Sequence, residues 1–348
     1  MALLSADGFE NYNDKADFDL TYPNNNLSDT YLSFPLEDRN GGRCMKWDCD
    51  HTYLNQVWRM GTSGWAVSQS INIFGFAFKC GLNDNGAGST LTLPVTGSYG
   101  GMSIQFNPRS TTATVRRWGV SQQIIGYFEY AYDTWQYLEV KLKISNSGII
   151  QIRLNEQTVI DWTGDNYYQN ETFPITFSIA LHDDQLWWFD DFYRGNDQGS
   201  YNNDFLGDIR IDVINPNGAG NYTDLTPSTG NNYECVDETL LDDSDYVEGI
   251  NVGDKDSYSY PVVPTDIDDA GIKAVMIKNH AQKTAEANNI KIDALLRTGS
   301  TDYNSSAAQN LSDGEFSPID FIFEKDPSDS NPWTQAKINA CEFGMEVP

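Results

Sequence analysis

The chain has 348 residues, enough for two domains that each bury a core, and its 22 Lys and Arg against 50 Asp and Glu give a formal charge of -28. Nucleic-acid affinity rests on neutralised phosphates, so an acidic surface with no basic patch excludes nucleic-acid partners and argues equally against an anionic membrane. No apolar run approaches the ~18 residues of a membrane span, and the opening MALLSADGFENY lacks the basic segment and apolar core of a signal peptide. Aromatics at 13%, abundant Gly, Asn, Asp, Ser and Thr, and few helical-period runs predict an all-β chain with many turns. Five cysteines, Cys44, Cys49, Cys80, Cys235 and Cys341, are too sparse for a disulfide framework and read as reduced thiols.

In chain order, Asp17 to Tyr22 alternates and predicts a first strand. Gly41 to Trp47 supplies a turn and another. From Trp65, AVSQSINIFGFAFKC puts Ile71, Ile73, Gly75 and Ala77 on one face and Phe74, Phe76 and Phe78 on the other, the pattern of a strand in the middle of a sheet. Short strands recur at Leu91 to Leu93, Met102 to Phe106, Ala113 to Trp118 and Gln122 to Phe128. Trp135 to Ile144, Ile149 to Leu154 and Thr158 to Trp162 follow, joined by polar turns. Phe177 to Tyr193, broken at His182-Asp183-Asp184-Gln185, predicts a hairpin closing a sandwich. Arg194 to Asp204 holds no aliphatic residue and reads as an exposed connection. Beyond it, Asp208 to Ile214 alternates as a strand, and Ser257 to Val263, Gly271 to Lys278, Ile290 to Arg297 and Phe316 to Glu324 give four more, with a helical turn after Pro332 and a closing strand.

TWQYLEVKLKISNSGIIQIRLNEQTVIDWTGD, followed by FSIAL and WWFDDFY, resembles the concanavalin-A-like lectin/glucanase (LamG-like) jelly roll over residues 1 to 195. Asp190-Asp191-Phe192-Tyr193 with Gly199 to Arg210, the Thr226 to Glu238 and Asp242 to Val247 stretches, and the tail from Asp326 resemble virion structural proteins of tailed bacteriophages. The fold expected is therefore all-β, two β-sandwiches: a concanavalin-A-like jelly roll at 1–195, a linker at 196–204, and a smaller sandwich at 205–348 that docks on the virion. The role this resemblance implies is a non-enzymatic protein of the particle surface, assembled in the host cytoplasm: a capsid decoration protein or tail accessory, homo-oligomeric, with other virion proteins as partners. The alternative is a glycan-binding receptor or adhesion module of a tail or head fibre.

Related glucanases place Glu-x-Asp-x-x-Glu on one strand, and the chain has no such string. Asp190 and Asp191 are adjacent, so a regular strand points them to opposite faces. Cys44-x4-Cys49-x-His51 matches no familiar zinc finger, and His51, His182 and His280 lie in no nucleophile motif. The expectation is thus no enzyme and no metal or cofactor. Asn83 to Gly86 and Asp266 to Gly271 have the look of calcium loops, but neither has the Glu that closes an EF-hand loop; Asx turns are expected there, with a loop-bound Ca2+ as the alternative. Host-surface glycan would be held by exposed aromatics, for which Trp58, Trp162, Tyr167, Tyr168 and Trp187 are the candidates, although a Trp in a sandwich strand is more often core.

Overall fold

The computed structural model describes residues 1–23, 25, 27–28, 30–49, 56–60, 71–81, 89–94, 101–107, 110–119, 121–167, 177–181, 185–264, 267, 271–284 and 290–348. It divides into two compact units, Met1–Ile211 and Asp212–Pro348.

Unit 1 begins with β1 (Leu3–Asp7), α1 (Lys15–Thr21), β2 (Leu32–Ser33), β3 (Met45–Cys49), β4 (Gln56–Met60) and β5 (Asn72–Cys80). It continues through β6 (Ser89–Pro94), β7 (Gly101–Asn107), β8 (Thr112–Trp118), β9 (Gln123–Glu129) and β10 (Gln136–Lys143), and ends with β11 (Gly148–Leu154), β12 (Gln157–Gly164), β13 (Phe177–Leu181) and β14 (Gln185–Asn196). Among the described residues these form an eight-stranded antiparallel sheet, β12-β11-β10-β5-β14-β3-β2 with β1 also on β14, and a six-stranded sheet, β4-β13-β6-β7-β8-β9. The core lies between them. Phe74, Phe76 and Phe78 of β5, Leu138 and Val140 of β10 and Ile150 and Ile152 of β11 meet Met102, Ile104, Phe106, Ala113 and Val115 of the facing sheet. Each such side chain contributes roughly 1.5–3 kcal/mol when fully buried. β5 sits between β10 and β14, as its two apolar faces require: Ile73 and Ala77 are buried on the other side, and Gly75 leaves the space that the Tyr193 ring fills.

Four expectations are corrected. Asp17 to Tyr22 is helical, because the Asp14 carboxylate accepts from the amides of Ala16 and Asp17 at the N-cap, and Phe18 and Tyr22, one turn apart, pack with ring centroids 4.6 Å apart. Phe177 to Tyr193 is no hairpin: β13 pairs with β4 and β6, whereas β14 pairs with β5, β3 and β1, so this stretch crosses from one sheet to the other. Asp208 to Ile214 joins no ladder, since its backbone bonds go to side chains of unit 1, Ile211 N to Asp191 Oδ1 at 2.7 Å and Arg39 to the Ile209 carbonyl. For the same reason residues 205–211 belong with unit 1, and the division falls after Ile211 rather than at 205.

Unit 2 comprises β15 (Gly218–Thr223), β16 (Thr226–Pro227), β17 (Val247–Glu248), β18 (Lys255–Ser259), β19 (Val275–Ala281), β20 (Lys291–Thr298), β21 (Thr301–Asn304), β22 (Gln309–Asn310), β23 (Ser317–Phe323), α2 (Gln335–Ile338) and β24 (Cys341–Glu346). Among the described residues β15-β18-β24-β20-β21 make the main sheet, with β22 on β20, and β19 pairs with β23. Ala294, Leu296 and Phe343 of the sheet pack on Ile277, Ile319, Phe321 and Phe323 of the pair around Trp333, whose indole N–H donates to the Phe323 carbonyl at 2.8 Å. Both units are thus β layers over an apolar core, the all-β fold expected.

Candidate functional site

Alternation on the six-stranded sheet leaves one face free of the core. On β7, Met102, Ile104 and Phe106 point inward, so Ser103, itself buried beneath its neighbours, and half-buried Gln105 point to the other side; on β8, Ala113 and Val115 point inward, so the half-buried Thr114, Arg116 and Trp118 point outward. Register lines them up: Gln105 lies opposite Thr114, which lies opposite Tyr127 of β9, and Ser103 lies opposite Arg116. A bulge in β9 between the partners of Val115 and Arg116 brings Ile124 beside Arg116.

The outward side chains are organised. Arg116 Nη1 donates to Gln105 Oε1 at 2.7 Å, and Trp118 Nε1 donates to Ser103 Oγ at 3.2 Å. Gln105 Oε1 fixes the half-buried guanidinium, and among the described residues no carboxylate is paired with it, in a strongly acidic chain. Tyr127 is 59% exposed and Ile124 49%, an apolar border on the edge strand. At the rim, Arg117 donates to Gln123 Oε1 and to the Asp165 carbonyl, with its Cζ 6.0 Å from the Trp162 ring centroid. Donors and a planar aromatic spaced along one rigid face are what a sugar's hydroxyls and apolar face require.

Of the five aromatics singled out from sequence, Trp162, Tyr167 and Trp187 have side chains among the described residues. Trp187 is buried in the core, stacked between Phe78 and Phe189 at 5.7 and 5.8 Å, so no face is left for a ligand. Trp162 and Tyr167 are half-buried against the core, Tyr167 with its amide on Asp165 Oδ1. Trp58 pairs with Ile179 on β4, its side chain outside the described residues, as is all of Tyr168. Ser103, Gln105, Arg116, Trp118 and Tyr127 were missed. Their signal was present in Met102-Ser103-Ile104-Gln105-Phe106, where polar residues alternate with core positions.

A second group gathers on the outer side of the eight-stranded sheet. An extra residue at Asp191, at φ +49°, lets Phe189 and Phe192 both face the core and collects Asp190 and Asp191 near Arg39 and Asp38, instead of on opposite faces as a regular strand would. Burial pushes both carboxyls up, and each raises the need for Arg39, which holds Asp191 Oδ2 at 2.6 Å. The two loops of calcium-loop composition fall on residues 82–88 and on 266 and 268–270, outside the described residues. Among the described residues, Glu238, Asp242 and Asp245 of unit 2 bring carboxylate oxygens within 4.8 Å of one another, on largely exposed side chains.

No family model matches the chain, and neither does any curated protein sequence. Solved structures similar to it include the alginate lyase of Aplysia kurodai, 10% identical, covering 56% of this chain and 99% of that one with a TM-score of 0.41. They also include a carbohydrate-binding module from Bacillus subtilis, 12% identical, covering 47% and 91% with a TM-score of 0.31. A third is a carbohydrate esterase of the Shiga toxin-encoding bacteriophage phi24B, 12% identical, covering 55% and 99% with a TM-score of 0.38. The expectation that the chain is not an enzyme is overturned by this comparison, since a lyase and an esterase stand among its structural neighbours. What the neighbours share with the chain is the jelly-roll β-sandwich.

Proposed function

We propose that unit 1 binds a glycan on the outer face of the six-stranded sheet, and that the protein presents this face from the surface of a bacteriophage particle. The observation that carries the first part is the register row of Gln105, Thr114 and Tyr127 beside Ser103, Arg116 and Trp118, with Arg116 and Trp118 each already oriented by a neighbour. Side chains held this way lose little rotamer freedom when a ligand arrives, so more of each contact appears as affinity. The second part is supported by the order of phage-like sequence segments and by the charge of -28, which suits display in solvent and is costly beside packaged DNA. A panel of neutral, uronic and bacterial surface polysaccharides, read for binding and for turnover together, tests the reading. Binding to at least one defined glycan, competed by its soluble oligosaccharide, is the expected result, and silence across the panel would overturn it.

A further inference from the structure

Beyond the end of β14 at Asn196 and the turn that follows it, residues Asp204–Ile211 cross the outer face of the eight-stranded sheet as a strap held by side chains. Lys141 pairs with Asp204, and Lys141 Nζ and Arg153 Cζ stand 4.5 and 4.6 Å from the Phe205 ring centroid. The Leu206 amide donates to Tyr193 Oη at 3.2 Å, and the Gly207 amide donates to Glu139 Oε1 at 2.9 Å. Arg39 spans Asp208, the Ile209 carbonyl and Asp191, while the Ile211 amide donates to Asp191 Oδ1 at 2.7 Å. Gly8 makes room for Ile211, whose atoms would lie 3.1 Å from a β-carbon there, and Gly207 takes φ +86° to turn its amide inward.

The sheet surface under this strap holds two buried carboxyl groups. Glu139 is wholly buried and Asp191 1% exposed, and the strap's amides supply one hydrogen bond to each. The strap both encloses these carboxyl groups and gives each an amide donor, so the buried groups are satisfied only while a segment is seated there. The face therefore demands an occupant, and the occupant must offer an acidic residue, an aromatic, a glycine and an acidic residue at the spacing of Asp204, Phe205, Gly207 and Asp208. Upstream, Gln198, Gly199, Ser200 and Asn203 are exposed and lie in no sheet, so residues 198–203 are where the strap would hinge.

We propose that Asp204–Ile211 is a docking segment in its own right, and that the same face accepts this segment from a second copy of the chain, linking copies by exchange. The strap's contacts from Asp204 to Ile211 involve no residue of the hinge, so they are indifferent to which copy supplies the strap. In cis the hinge raises the local concentration of the strap; among crowded copies the two sources compete.

The test uses the full chain with a protease site placed between Ser200 and Asn203, prepared with two different tags. After cutting, the piece beginning near Asp204 should remain with residues 1–200 through gel filtration, and mixing the two preparations should yield mixed pairs on single-tag capture. Phe205→Ala with Asp208→Ala, both on the strap rather than in the sandwich, should speed release about tenfold while circular dichroism of the uncut variant stays native. Pieces that separate on cutting, pieces that never exchange between tags, or release unchanged in the double variant would each overturn the proposal.

Discussion

Glu139 shows how a single buried side chain sets a pH response. Burial raises its pKa, and the hydrogen bonds from Tyr193 Oη at 2.6 Å and the Gly207 amide offset only part of this, while Oε2 has no hydrogen-bond partner. A raised folded-state pKa favours the protonated form, so the stability from this group is full below the ordinary glutamate range and is lost as pH rises through the raised value. Glu139→Gln keeps an acceptor for both donors and removes the charge. It is predicted to equal the wild type in urea stability near pH ~4 and to exceed it near pH ~8; a variant no more stable at the higher pH contradicts this. At the same scale, sequence could say that one of Trp187 and Trp188 faces inward but not which. Trp187 is the inward one, and Trp188 lies outside with its Nε1 on Glu37 and the Lys79 ammonium 4.2 Å from its ring centroid. The deciding fact was the bulge at Asp191, whose effect on parity shows only once partners are known.

Elements were legible where period and burial agreed. β5, β10 and β11 lie where alternation placed them, because each packs a continuous apolar row on the core. Asp17 to Tyr22 went astray because Phe18, Leu20 and Tyr22 fit a two-residue period as well as Phe18 and Tyr22 fit a helical turn, and Asp14 decides between them as a cap. Asp14→Ala is therefore predicted to cost about 1 kcal/mol in chemical denaturation, with Asp14→Ser recovering most of it; no loss in the Ala variant would show that packing of Phe18 alone holds the helix. The crossing from β13 to β14 was misread for a related reason. Two apolar runs around a polar turn look alike whether they pair with each other or with different sheets, and long-range pairing is not written in local pattern.

At the scale of the molecule, sequence conveyed an all-β chain of two cores and a lectin-like first half, while the face proposed for a glycan emerged only from register across β7, β8 and β9. The surface charge remains the main guide to where the protein works. If it is displayed on a particle, purified virions should contain it, and antibodies raised to unit 1 should decorate their exterior by electron microscopy; recovery only from the soluble fraction of infected cells would count against display. The role of the six-stranded sheet is tested most directly by equilibrium titration of the best glycan from the panel against wild type, Arg116→Ala and Tyr127→Ala. Loss of a charged donor should weaken binding by about 1.5–3 kcal/mol and loss of the exposed ring by about 0.5–1.5 kcal/mol, with denaturation midpoints unchanged. Affinity equal to wild type in both variants would contradict the assignment of the glycan to this face.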